Sequence, residues 1–230
     1  MPPFADLPLQ RIARLAGALY LVIIVCGLWS ELAVRGPLVV DGDAAATAAN
    51  LLAGEGLFRA AFVADAVMAT ADIALAVLLA ALFWPVAPVV AALAAAFRLI
   101  QASVLASNLG HHNEALLHLD AGGEGAAEAA LHALAMHAHG YDLGLIFFGV
   151  NCLLTGWLIW RSGLLPRALG AGIAASGAVY LAGSFARFLA PEMAPALAPA
   201  YAVPLLAETA LCLWLITMGV RRAMPPAQPA

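Results

Sequence analysis

Apolar runs long enough to cross a bilayer, each interrupted by only a few polar positions, follow one another from Ile12 to Val220. In a helix, about 20 apolar residues cover the roughly 30 Å of a hydrocarbon core. Six segments meet that length, at about 12–34, 60–84, 87–108, 141–160, 165–189 and 201–220. The pattern predicts an all-α polytopic membrane protein, a single transmembrane domain over 1–230 with six transmembrane helices.

The breaks between the runs carry their own signals. Trp84-Pro85-Val86-Ala87-Pro88 reads as a tight turn, because proline stops a helix and disfavours the helical region for the residue before it. Asp43 is placed to cap an Ala-rich stretch that Gly54 ends, which predicts a short helix along the membrane surface. Residues 109–140 are expected as an outer His-rich loop, holding His111, His112, His118, His132, His137 and His139. Gly122, Gly123 and Gly125 divide that segment, and the helix formers from Glu124 onward are expected to run into the fourth span. Gly170, Gly172, Ala174, Ala175, Ser176, Gly177 and Gly183 fill the fifth span with small residues that allow close helix approach. Arg11 and Arg14 precede the first run as in a signal peptide, but no small-x-small cleavage site follows, so a retained span is expected.

Arginine placement predicts the orientation. Arg11, Arg14, Arg161, Arg167, Arg221 and Arg222 all fall on one side of a six-span topology, and most of the acidic loop residues fall on the other. The positive side is cytoplasmic, giving N-in/C-in in a bacterial inner membrane.

Composition agrees with the pattern. The chain is 64% hydrophobic and only 10% charged, against about 25% charged residues in soluble domains. A net charge of −4, with no Lys at all, excludes nucleic acid as a partner class. Cys26, Cys152 and Cys212 all lie within spans and show no metal-ligand or disulfide spacing.

Candidate chemistry lies in the polar positions inside the runs. A charge near the bilayer centre costs roughly 2.5–3.5 kcal/mol on insertion scales and faces protein or water rather than lipid. Asp65, Asp72, Arg98 and Glu208 are such positions. Asp65 and Asp72 share one face of the second span, and Arg98 shares a face of the third with Gln101, Asn108 following near its outer end. Matched depth and sign suggest an outward-facing site for a small polar or cationic solute, built from Asp65, Asp72, Arg98, Gln101 and Glu208. Arg98 can equally form a buried register-setting pair with Asp72 or with Asp65.

Along the fourth span, Glu128, His132, His139 and Asp142 fall on one arc and His137 points the opposite way. His139 and Asp142 at i,i+3 are the candidate ligands for a divalent transition metal, with further donors needed from elsewhere, among them Asp65, Glu208, His111 and His112. A membrane-embedded metal-dependent enzyme is therefore an alternative to solute binding. A non-catalytic subunit of a membrane complex, or an oligomer, is a third reading, suggested by the small-residue fifth span. Nucleophile elbows, phosphate loops and dinucleotide fingerprints are absent from the sequence.

Several stretches resemble a known family. GLIFFGVNCLLTGWLIWRSGLLPRALGAGIAASGAVYL from Gly144 to Leu181, RIARLAGALYLVIIV, GDAAATAANLLAGEGLFRAAFVAD, AFRLIQAS and AETALCLWLITMG are similar, in order, to the bacterial integral-membrane proteins of domain-of-unknown-function family 4386. The resemblance implies a multi-span membrane protein and carries no activity with it. Arg59, Asp65, Arg98 and Glu208 lie within the resembling stretches.

Overall fold

A computed structural model describes residues 8–221, and the described residues form seven helices with no strand. Six are long and apolar enough to cross a membrane: α1 (Leu9–Leu38), α3 (Glu55–Phe83), α4 (Pro88–Ala121), α5 (Ala126–Ser162), α6 (Arg167–Leu189) and the final span Pro191–Thr217. The regular helix of that last span is α7 (Ala202–Thr217), reached through short turns from Pro191 to Tyr201. Between α1 and α3 lies α2 (Ala44–Ala53), where the Asp43 side chain accepts from Ala46 N at 2.9 Å and Gly54 stands at the C-cap, as those residue types require.

The His-rich segment differs from the expected outer loop 109–140. It is helical apart from the turn at 122–125, with α4 continuing to Ala121 and α5 beginning at Ala126. Pro is absent between Pro88 and Pro166, so only the glycine trio interrupts the helices. Gly122, Gly123 and Gly125 all take positive φ, the conformation that other residues resist. A 34-residue helix is roughly 51 Å long and projects well beyond a core of about 30 Å.

Each long helix packs on its sequence neighbour, α1 on α3 across the short α2, and α7 returns to α1, closing a ring of six. Gln10 Nε2 donates to Met218 O at 3.0 Å, and Arg221 N donates to Leu164 O at 2.8 Å. The start of α1, the α5–α6 turn and the end of α7 therefore meet at one end of the ring. Arg11, Arg14, Arg161, Arg167 and Arg221 gather there, while Arg222 lies outside the described residues.

The α5–α6 contact depends on small residues, as the composition of the fifth span predicts. A Cβ on Gly156 would stand 2.6 Å from Gly170 O, and one on Gly177 would stand 2.6 Å from Gly149 O. Glycines seven residues apart on each helix thus meet backbone to backbone. At the opposite end, Val34, Leu51, Phe58, Ala61, Leu116 and Leu134 make a separate apolar cap over the ring.

Candidate functional site

All six spans contribute to one cavity of about 620 Å³ inside the ring. Its wall is mostly aliphatic and aromatic, and its polar groups come from all six spans, among them Glu31, Asp72, Arg98, Gln101, Tyr180 and Glu208. Arg98 Nε donates to Asp72 Oδ1 at 2.7 Å. The guanidinium lies 5.3 Å from the Tyr20 ring centroid and 5.0 Å from that of Phe148. Glu208 accepts from Tyr20 OH at 2.9 Å and from Tyr180 OH at 2.6 Å. Arg98 lies ten residues into α4, roughly 15 Å along its axis and so near mid-membrane.

These charges are compensated without being saturated. Asp72 and Arg98 neutralise one another, and two tyrosine hydroxyls hold Glu208. Asp72 Oδ2, Gln101 Oε1 and the donor Arg98 Nη2 are nevertheless buried with no hydrogen-bond partner among the described residues. A buried polar atom without a partner costs about 1–3 kcal/mol, so residues of the cavity wall carry unsatisfied polar groups.

A second polar cluster lies nearer the capped end, centred on Asp65 of α3, His112 of α4 and His137 of α5. One donor atom from each side chain lies within 4.8 Å of the others. The His112 Nε2–H donates to Phe58 O at 3.0 Å, and the ring stacks on Phe58 at 3.8 Å between centroids. Asn108 Nδ2 donates to His137 O at 2.7 Å, and His137 Nδ1 lies 3.2 Å from both Asn108 O and Asn108 Nδ2. Placing the ring proton on Nδ1 pairs it with that carbonyl. Arg35 bridges Asp65 Oδ2 and, through Nε at 2.8 Å, Glu31 Oε2. A stretch of wider i→i+5 turns over Trp29–Arg35 leaves Arg35 buried while Glu31, Leu32 and Ala33 are exposed. After these pairings Asp65 Oδ1, His112 Nδ1 and His137 Nε2 have no hydrogen-bond partner among the described residues.

The structure brings Asp72, Arg98, Gln101 and Glu208 together on the cavity wall. Asp65 is not among the cavity-lining residues. It faces Arg35 and the two histidines, although it shares the helix face of Asp72. His139 is exposed, with Nδ1 on Ala135 O at 2.8 Å, and Asp142 pairs with Arg187 Nε at 2.7 Å. Neither belongs to a three-donor group among the described residues. Glu128 and His132 are exposed as well, because the arc they share with His139 turns outward.

Arg35, His137, Tyr20 and Tyr180 were not singled out by the sequence reading, and His112 entered it only as an accessory donor. A signal for the two histidines exists. Arg98, Gln101, Leu105, Asn108, His112 and Ala115 form one stripe at helical spacing, and following it outward from Arg98 reaches His112. Ala130, Ala133, Leu134, His137, Gly144 and Leu145 form the outer part of the buried stripe of α5, so His137 is the polar residue of that part, as Asn151 and Thr155 are further along.

Comparison with known proteins places these features in a family. The chain is similar to an "Uncharacterized protein" of Archaeoglobus fulgidus, 27% identical over 153 residues, which covers 64% of this chain and 76% of the relative. No solved structure matches. The family model described as domain of unknown function (DUF4386) matches residues 15–219, a span that includes every residue of the cavity and of the Asp65–His112–His137 cluster. This chain belongs to the DUF4386 family.

Proposed function

We propose that this protein binds a small solute with an apolar body and a hydrogen-bond-donating or cationic head inside its ring of six helices. The observation that carries the reading is a largely apolar cavity of about 620 Å³ with Asp72 Oδ2 and Gln101 Oε1 buried and unpartnered beside the Asp72–Arg98 pair. Pockets of roughly 300–1,000 Å³ with apolar walls and a few convergent polar groups are the usual form of small-molecule sites. An ammonium or hydroxyl head would donate to the two acceptors, and the apolar body would lie along Ile23, Leu145 and Leu205. The wall argues against a wholly polar solute, which would lose hydration there without replacing it.

The arginines gathered at the end shared by the α1 start, the α5–α6 turn and the α7 end support a cytoplasmic location for that end. In a bacterial inner membrane the glycine turn between α4 and α5 would then face outward, and solute would reach the cavity from the outer side or laterally from lipid.

A thermal-shift series on detergent-purified protein tests the reading, using amphiphiles of graded chain length with ammonium, hydroxyl or carboxylate heads. Ammonium and hydroxyl heads should raise Tm in the wild type, and Gln101→Leu combined with Asp72→Asn should abolish that response. Stabilisation that ignores the head group, or that survives the double substitution, would overturn it.

A further inference from the structure

We propose that Asp65, His112 and His137, none of which lines the cavity, form a metal site for a divalent transition ion of the zinc class near the outer end of the ring. The three donors come from three different helices and converge within 4.8 Å. Each side chain is anchored through one atom and free at another. His112 is held through Nε2 on Phe58 O, His137 through Nδ1 on Asn108 O, and Asp65 through Oδ2 on Arg35. The atoms left over, His112 Nδ1, His137 Nε2 and Asp65 Oδ1, are the ones without partners. A metal-binding histidine usually donates its other N–H to a carbonyl or carboxylate, which sets the tautomer and aims the free nitrogen. His112 is already arranged in that way, and His137 is when its ring proton sits on Nδ1.

Burial makes the arrangement hard to read as solvated polar residues. Asp65, His112 and His137 are 3%, 1% and 5% exposed. Buried polar atoms in folded proteins almost always have a partner, and three without one on three clustered side chains require an explanation. A lock of helix register by hydrogen bonds alone would explain the anchored atoms but not the free ones.

Charge and donor type indicate the ion. Glu31, Arg35 and Asp65 together carry one net negative charge beside two imidazoles, which suits a dication. Arg35 holds one oxygen of Asp65, which leaves the other free near the histidines. Two imidazoles favour zinc or ferrous iron over magnesium or calcium, which take oxygen donors. Three protein donors leave a coordination position for water or another small ligand. Tetrahedral donors about 2.0–2.1 Å from zinc stand roughly 3.3 Å apart, so side-chain rotation would draw the three together as the ion binds. The site lies 24 residues along α4 from Pro88, roughly 36 Å along the helix axis and near the outer edge of the hydrocarbon core. There an ion could arrive from the aqueous side.

The test is zinc binding by the full chain in detergent, after chelator treatment and desalting, with zinc added alone and quantified by elemental analysis and by competition with a chromophoric chelator. Wild type should retain about one zinc per chain, and His112→Gln, His137→Gln and Asp65→Asn should each weaken retention at least about tenfold. His139→Ala and Asp142→Asn should bind as wild type does. Gln101→Leu should too, which separates failure of the metal site from failure of the solute site. X-ray absorption at the zinc edge of the wild type should show two imidazoles with nitrogen or oxygen at about 2.0–2.1 Å, and it decides the matter even if a variant does not fold. Folded wild type that retains no zinc, retention untouched by the three substitutions, a shell with sulfur at about 2.3 Å, or an oxygen-only shell would each overturn the proposal.

Discussion

Arg98 on α4 donates to Asp72 on α3, Nε to Oδ1 at 2.7 Å, with the guanidinium close to the rings of both Tyr20 and Phe148. Asp65, two turns away on the same helix face, is instead taken by Arg35 of α1. Two carboxylates that are equivalent in sequence pattern therefore do different work. One balances a charge in the cavity, and the other faces the histidines.

Removing one member of the Arg98–Asp72 pair should be much worse than removing both. Arg98→Leu leaves Asp72 buried and unbalanced and should cost about 3–5 kcal/mol. Arg98→Leu combined with Asp72→Leu should recover a large part of that loss. Unfolding of the purified protein in detergent measures the cycle, and additive losses would contradict the pairing.

Glu208 depends on two hydroxyls for its place in the cavity wall. Tyr180→Phe deletes the shorter bond and should lower stability by about 1.5–3 kcal/mol, the range for a hydrogen bond to a charged group. Glu208→Gln combined with Tyr180→Phe should cost little more than Tyr180→Phe alone, because a neutral amide requires less compensation. Denaturation midpoints of the three variants check this.

Helix approach between α5 and α6 should be intolerant of even one methyl group. Gly177→Ala drives a Cβ against Gly149 O at 2.6 Å and should destabilise by about 1–3 kcal/mol. Gly110→Ala provides the contrast. Nothing lies within 4 Å of a Cβ there, so better helix propensity should stabilise α4 by up to about 1 kcal/mol. Opposite signs of the two Tm changes are the expected result.

Membrane orientation is open to a labelling test in spheroplasts. In a background where Cys26, Cys152 and Cys212 are replaced, Glu124→Cys in the glycine turn should react with an impermeant maleimide added outside. Ser162→Cys at the end of α5 should react only after the membrane is opened. The reverse pattern would invert the proposed topology.

The architecture was legible because lipid leaves the chain few options. A backbone in hydrocarbon must satisfy its own hydrogen bonds, so six long apolar runs become six helices. The caps at Asp43 and Gly54 and the close α5–α6 contact also follow from local chemistry, since each depends on residue type at a defined position. The 109–140 segment was harder to read. Its histidines resemble loop composition, yet with no Pro between Pro88 and Pro166 the helices simply run on past the hydrocarbon.

Helical spacing by itself determined which residues share a face: Asp65 with Asp72, Arg98 with Gln101, and His139 with Asp142 opposite His137. It did not determine which of those faces turns inward. On α5 the face bearing His139 and Asp142 turns outward, His139 exposed and Asp142 paired with Arg187, and the face bearing His137 is buried against α4. That choice belongs to the tertiary structure, because the rotation of a helix about its axis is set by packing against its neighbours. Pairings such as Arg35 with Asp65 and Asp72 with Arg98, each between different helices, exist only once the ring has closed.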